Sequence, residues 1–254
     1  MGIWFTISSS KMISVVISYC SNDKCFIKPL IEQCKVFSNE VLVLSCSHFF
    51  NGHKDHNLED LSHLGVSHYI FGYLPDQDIK YHHNYSRYKG LQLTTGEFVL
   101  FLDADEIPDG NLMNNFLMEV GLQHNSIINF KCHWYFREPI FRARNSEVCG
   151  LLAHRSLLTE NLFFTPLERW SYKLYNIPSM ENAEYNGLIM MHHFSWVKTK
   201  LQMLQKVSSW GHHADKNWTE LIEKEFEREF NGYDFVHGYR FESVINQFNI
   251  ELTD

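Results

Sequence analysis

Apolar residues in the first hundred positions fall into short unbroken runs, separated by stretches with helical spacing. ISVVIS (13–18) and EVLVLSC (40–46) are β-branched and apolar, the pattern of strands buried on both faces. FVLFL (98–102) is another such run, and SHYIFGYL (67–74) predicts a shorter strand. Residues 26–37 carry apolar positions at helical spacing up to Ser38-Asn39, and SHFFNGHKDHN (47–57) is a polar loop. YHHNYSRYKGLQLTT (81–95) predicts a helix that stops at Gly96. Strand, helix, strand, loop, strand, helix, strand is the order of an α/β fold with a mostly parallel sheet under covering helices.

The remaining residues are less regular. Residues 109–121 predict a helix capped by Asp109, and SIINFKCHWYF (126–136) a strand. Residues 137–186 are mixed, with a strand near VCGLLAHR (148–155). VKTKLQMLQKVSSW (197–210) sets Val197, Leu201, Leu204 and Val207 along one helical face, and TELIEKEFEREF (219–230) is a second, charged helix. With no internal repeat, low-complexity tract or linker, a single domain over 1–254 is expected. No apolar stretch approaches the roughly 20 residues that span a bilayer. The opening MGIWFTISSSKM lacks a basic segment followed by a long apolar core. A cytoplasmic protein is expected, with residues 1–11 as an extension ahead of the first strand.

Composition narrows the function classes. The 254 residues are 44% hydrophobic and 20% charged, ordinary values for a soluble globular chain. The net charge of -8, from 22 Lys+Arg against 30 Asp+Glu, argues against a broad nucleic-acid footprint. The six cysteines form no CxxC pair and read as reduced, mostly buried thiols.

The candidate chemistry sits where the last apolar run ends, in GEFVLFLDADEIPDG (96–110). Asp103, Asp105 and Glu106 would repel one another at the tip of a buried strand unless a cation or ligand lies among them. Three readings are open. Asp103 and Asp105 can supply hard oxygen ligands to Mg2+ or Mn2+, with a substrate phosphate completing the coordination. Asp103 can be a phosphotransfer nucleophile with Asp105 as acid/base. Or the strand simply turns into solvent at Asp109-Gly110. An EF-hand loop is excluded, because Pro108 stands where its glycine is needed.

In ISVVISYCSND (13–23), EVLVLS (40–45), NYSRYKGLQLTTGEFVLFLDADEIP (84–108) and HHFSWV (192–197), the chain resembles the GT-A glycosyltransferases, particularly the family 2 type. The spacing R-x-x-G-x-x-x-x-x-G-E before an apolar run and D-x-D is the most specific part. The resemblance implies a doubly wound, Rossmann-like mixed sheet holding a nucleotide-diphosphate sugar, with residues 12–110 as the donor half and 111–254 as the acceptor half. It implies that Ser18, Tyr19 and Asp23 line the base and ribose pocket and that Arg87 lies near the nucleotide. Asp103 would contact ribose or metal-bound water, and Asp105 would bind Mn2+ or Mg2+. One departure stands out. Where that family has an Asp after the second strand, this chain reads Ser45-Cys46-Ser47-His48.

A late histidine often closes such a metal site, and His193 matches it, with His192 as the neighbouring alternative. Lys198 and Lys206 are eight residues apart, near two helical turns, and either can neutralise a leaving diphosphate. WGHH (210–213) resembles a lid over the nucleotide. The resemblance implies inversion by direct displacement, with a carboxylate taking the proton of an acceptor hydroxyl. Glu168 is the favoured base among Glu138, Glu147, Glu168 and Glu181, since Trp170 and Tyr172 beside it suit a stacked carbohydrate acceptor. Trp134 and Tyr135 are further platform candidates. Glu106 is expected in an outer shell, and His53, His56, His82 and His83 are expected to be exposed.

Three rival readings remain. A phosphatase of the haloacid dehalogenase type wants its D-x-D on the first strand, and Thr or Val where Ile107 stands. A nucleotidyltransferase wants a Gly-rich basic loop after the first strand. A binding module without catalysis keeps the fold alone.

Overall fold

The computed structural model describes residues 12–120, 122–165, 167–209 and 215–252, and of Glu168 the backbone alone. The first four strands and two helices follow the expected order: β1 (Ile13–Tyr19), α1 (Lys24–Phe37), β2 (Glu40–Cys46), β3 (Ser67–Phe71), α2 (Ile79–Leu93) and β4 (Phe98–Asp103). Then come β5 (Glu106–Pro108), α3 (Gly110–Glu119), β6 (Ile127–Phe136), β7 (Glu138–His154) and the short α4 (Glu160–Phe163). A 3-10 helix (Glu168–Tyr175) leads to β8 (Ser179–Ala183), β9 (Met191–Trp196), α5 (Lys200–Ser209), α6 (Trp218–Phe226) and β10 (Phe241–Ser243).

One ten-stranded sheet takes the order β3-β2-β1-β4-β7-β6-β9-β5, with β10 beside β7 and β8 beside β6. The β3-β2-β1-β4 portion is parallel throughout, and β7 enters antiparallel to β4. The chain steps outward from β1 to β3, then returns to the other side of β1 for β4. That reversal makes the gap beyond Ser18 and Asp103, which lie side by side in register, the topological switch point of the sheet.

The apolar strands are buried on both faces, as their sequences predict. Ile13, Val15 and Ile17 pack under α1 and α3 with Phe26, Leu30 and Phe116, whereas Val16, Leu44 and Phe101 face α2 and α4. A third cluster joins Trp134, Phe136 and Trp196 to Met203 of α5 and Trp218 and Ile222 of α6. Trp134 and Tyr135, candidates for an acceptor platform, are core residues at 2% and 3% exposure. Each buries a large apolar ring that a free platform would leave in water.

Two glycines of the sequence motif have a packing cause. A Cβ on Gly90 would lie 2.3 Å from Val16 Cγ1, so glycine is what lets α2 rest directly on β1. A Cβ on Gly96 would meet Ser14 Oγ at 2.4 Å, where the chain slides past β1 into β4. Arg87 and Ser86, three and four residues before Gly90, are thereby carried to the switch point.

The structure corrects several expectations. The helix over 197–210 begins at Lys200, because Thr199 takes the capping position and its Oγ1 accepts from Gln202 N at 3.4 Å. Its buried face is Met203 and Val207, and Leu201 is 68% exposed. The strand near 148–155 is the end of a 17-residue strand. The helix expected over 219–230 ends at Phe226. Asp109 caps α3 as expected, its Oδ1 accepting from Leu112 N at 3.0 Å. Residues 1–11 and the WGHH stretch lie outside the described residues.

Candidate functional site

Beyond β1 and β4 a cavity of about 590 Å³ opens, a size that holds a small-molecule ligand. Its walls include Ser18, Tyr19 and Asp23 after β1, Arg87 of α2, Asp103 and Asp105 after β4, and Arg169 and Trp170 of the 3-10 helix. His193, Lys198 and Lys206 close the remaining side. The nucleotide, phosphate and metal candidates, and Trp170, are therefore brought to one cavity. Glu168 follows Leu167 and precedes Arg169, both cavity residues, and its own side chain lies outside the described residues.

The acidic cluster is answered largely by the protein's own cations. Arg87 Nη2 donates to Asp103 Oδ1 at 2.9 Å and to Oδ2 at 3.3 Å. Arg169 Nη2 lies 3.2 Å from Asp103 Oδ2 and donates to Glu106 Oε1 at 2.7 Å, while its Nη1 donates to Glu106 Oε2 at 2.5 Å. Glu106 Oε2 also accepts from Asp103 N at 2.9 Å. His83 Nε2 shares hydrogen bonds with Asp103 Oδ1 (3.2 Å) and Arg87 Nη2 (2.9 Å). Burial by itself would raise the Asp103 carboxyl; Arg169, Arg87 and His83 together hold it well below the usual carboxylate range.

Asp105 has other company. Its Oδ1 stands 3.6 Å from His193 Nε2, and its Oδ2 stands 3.7 Å from Lys206 Nζ. The juxtaposition comes from β5, a three-residue strand that pairs Glu106 opposite His193 on β9. Phe194 N donates to Asp105 O at 2.8 Å and locks the two segments together. Burial opposes ionisation of Asp105, but Lys206, then His193 and Lys198, keep its carboxyl low. Burial likewise opposes a charged His193, yet the bonds to Asp105 and Cys132 raise it well above its ordinary value.

Strand alternation decides between the paired histidines. His193 and Ser195 face the cavity. His192 faces the other way, with Nδ1 sharing a hydrogen bond with the Tyr135 hydroxyl (2.8 Å) and Nε2 one with Gln247 (3.1 Å). Lys198 Nζ donates to Asp23 Oδ1 at 2.5 Å, and Lys206 Nζ to Ser195 Oγ at 2.8 Å. Lys198 precedes α5, so the two lysines meet at the cavity through the turn before the helix, not through helical periodicity.

Asp105 and His193 fit a shared divalent ion. Two ligands each about 2.0–2.2 Å from one ion lie about 3–4 Å apart, and 3.6 Å falls in that range. One carboxylate and one imidazole leave most coordination positions to ligand oxygens. Asp103, expected among the ligands, has its oxygens on Arg87, Arg169 and His83 instead.

Several site residues escaped the sequence. Arg169 is the main one, since nothing in TPLERWSYK marks it. His83 was expected to be exposed but lines the cavity, and His82 is 1% exposed and stacks on Tyr73 at 4.6 Å. His53 and His56 are exposed, as expected. Asp55, in the loop after β2, does not line the cavity; its Oδ2 accepts from Ser21 N at 2.9 Å and anchors the segment after β1. The other proposed bases, Glu138, Glu147 and Glu181, do not line the cavity. Glu147 accepts from the Tyr239 hydroxyl, and Glu181 Oε1 pairs with Lys173 Nζ at 3.0 Å. Tyr172, proposed as a stacking surface, is buried at 1%.

A parallel half ending in D-x-D at the switch point, continued by an antiparallel half that returns a histidine to the second Asp, is the GT-A arrangement. The fold is of the GT-A type. No protein-family model matches the chain, and a search of curated proteins found no match. Among solved structures, it is similar to TarS of S. aureus (15% identity, TM-score 0.45, covering 85% of this chain and 73% of that one). It is also similar to the mannosyltransferase PcManGT from Pyrobaculum calidifontis in complex with GDP-Man and Mn2+ (11%, TM-score 0.49, covering 79% and 61%). A third is glucosyl-3-phosphoglycerate synthase from Mycobacterium tuberculosis with Mn2+, UDP and glucosyl-3-phosphoglycerate (13%, TM-score 0.43, covering 92% and 87%).

Proposed function

We propose that this GT-A protein is a glycosyltransferase that moves a sugar from a nucleoside-diphosphate sugar to the hydroxyl of a carbohydrate acceptor, with inversion and with a divalent ion. One observation carries the reading. In a chain of net charge -8, the cavity is lined by five Lys and Arg side chains against three carboxylates, Asp23, Asp103 and Asp105. A cationic cavity in an acidic protein suits a multiply charged anion. Its position at the switch point suits a nucleotide.

Asp105 and His193 would hold Mn2+ or Mg2+, which supplies Lewis-acid stabilisation of a departing diphosphate. Lys198 and Lys206 neutralise further phosphate charge from the same wall. Ser18, Tyr19 and Asp23 flank the base and ribose. Arg87 and Arg169 keep Asp103 ionised and fixed in orientation toward the ribose, rather than free to coordinate. Trp170 offers its ring to the acceptor. Glu168 takes the acceptor proton as the acceptor oxygen bonds to the anomeric carbon and the bond from that carbon to the diphosphate oxygen breaks. No helix among the described residues is long and apolar enough to cross a membrane. We place the enzyme in the cytoplasm, where six free thiols are at home.

The same geometry disfavours a phosphatase. A nucleophilic Asp103 would need a free carboxylate oxygen, and both of its oxygens face guanidinium groups. The test is release of nucleoside diphosphate from a panel of UDP-, GDP- and CDP-sugars, with Mn2+, with Mg2+ and with chelator. Ion-dependent release from one donor class supports the reading. No release from any donor, together with stabilisation by fluoroberyllate, would overturn it.

A further inference from the structure

Away from the cavity, three side chains that the proposed reaction does not use converge at the opposite end of the sheet. Glu97 immediately precedes β4, His154 closes β7, and His124 lies in the loop between α3 and β6. Among the described residues they are the one group of three His, Cys, Asp or Glu whose ligand atoms all lie within 4.8 Å of one another. Glu97 Oε1 stands 3.4 Å from His124 Nε2 and 3.7 Å from His154 Nε2. Ligands about 2.0–2.1 Å from a tetrahedral ion are about 3.3–3.5 Å apart, so both separations are near a tetrahedral edge already. The imidazole rings stack at 4.2 Å with 23° between planes, which carries both Nε2 atoms toward the same carboxylate.

We propose that Glu97, His124 and His154 form a second divalent-ion site, of the Zn2+ class, that ties the α3–β6 loop to the edge of the sheet. Two imidazoles and one carboxylate are the donor set of a borderline ion, not of Mg2+ or Ca2+. The site is built on rigid parts. Phe98, next to Glu97, pairs in register with His154, and the Phe98 ring meets His154 and His124 edge-on at 5.1 and 5.7 Å. Arg155 fastens the backbone below, with N donating to Glu97 O and Nε to Gly96 O at 2.9 and 2.8 Å. The side chains of His124 and Glu97 are 63% and 41% exposed, leaving an entry path and a fourth position for water.

His154 also has the partner a ligating histidine needs. Its Nδ1 lies 2.7 Å from Ser156 Oγ, whose oxygen can accept a hydrogen bond from Nδ1–H once Nε2 binds the ion. Ser156 N donates to the same Nδ1 at 3.2 Å. Ion entry therefore moves the ring proton from Nε2 to Nδ1 and gives up that longer bond. Glu97 is six residues before Asp103, about 20 Å along a strand, so this site and the Asp105–His193 pair cannot share an ion.

The experiment uses the untagged full chain, stripped with chelator, re-equilibrated with Zn2+ and assayed for bound metal by mass spectrometry. His124→Ala, an exposed loop change, is expected to bind one equivalent fewer than the wild type, or to bind it at least about tenfold more weakly. Co2+ is expected to give the visible bands of a tetrahedral ion in the wild type, reduced in His124→Ala and in Glu97→Gln. Equal stoichiometry and affinity in wild type and both variants would overturn the proposal, as would a wild-type chain that takes up no Zn2+. Neither readout depends on sugar transfer, so the second site can fail or stand independently of the proposed activity.

Discussion

All three carboxylates of the cavity, Asp23, Asp103 and Asp105, come from residues 12–110, whereas Arg169, Lys198, Lys206 and His193 come from the later half. Neither half makes a balanced site alone. Lys198 crosses to Asp23, Arg169 to Asp103 and Glu106, and Lys206 to Asp105. The parallel half thus provides the acidic tip and part of its compensation, through Arg87 and His83, and the antiparallel half provides the remaining charge. The difference teaches that the ion pairs do two things at once: they weld the halves together and keep the carboxylates ionised for a ligand.

Breaking the contrast at its catalytic centre has the largest expected effect. Asp105→Asn, which keeps the shape and removes the charge facing His193 and Lys206, is expected to lower kcat for sugar transfer by about a thousandfold, about 4 kcal/mol. The variant is expected to remain folded by circular dichroism. Next is Arg169→Met. Glu106 is fully buried, and removing one partner of a buried pair costs about 3 kcal/mol or more. Urea denaturation reads this as a lower midpoint with an unchanged slope. An unchanged midpoint would mean that the halves are not held by this pair.

Acid sharpens the contrast further. In the later half, burial pushes His133 down to about 4 and His192 to about 3. Because the folded values lie below the ordinary 6.5, the fold excludes the proton. Their contribution is complete above pH 6.5 and is lost as pH falls through about 4 for His133 and about 3 for His192. Asp103 and Asp105 are held below the usual carboxylate value, so their contribution persists down to about pH 4 and is lost only below it. Between pH 6.5 and 4 the histidines alone of these four draw on stability. His133 is partly open to water, which reduces its share to about 1–2 kcal/mol. His133→Asn is expected to flatten the fall in urea midpoint across that window. The smallest effect is expected at Leu201→Ser, within about 0.5 kcal/mol in the same assay, since that side chain is 68% exposed.

Legibility followed the same division. In the first half β1, β2 and β4 are near-continuous apolar runs, and burial on both faces leaves that mark in the residues themselves. The motif glycines stood out as a pattern but not by cause: Gly96, expected as the helix end, lies beyond Thr94, which ends α2, and Gly90 and Gly96 make room for Val16 and Ser14. Strands β5, β8 and β10 have only three to five residues, too few for periodicity to register. Yet β5 is what sets Asp105 against His193. The choice between His192 and His193 needed the register of β9. Arg169 reaches Asp103 and Glu106 across more than sixty residues of sequence, a pairing that no local pattern encodes. Three neighbouring carboxylates do demand positive charge, and two arginines supply much of it.

The central claim is that Asp105 and His193 couple a divalent ion to a nucleoside diphosphate in the cationic cavity. Calorimetric titration of GDP and UDP into the wild type and into Asp105→Asn, with and without Mn2+, tests it most directly. The account predicts that Mn2+ tightens binding of one nucleotide at least about tenfold, a coupling of about 1.4 kcal/mol, and that Asp105→Asn abolishes the coupling. Nucleotide affinity indifferent to Mn2+ in the wild type, or equal coupling in both proteins, would contradict it.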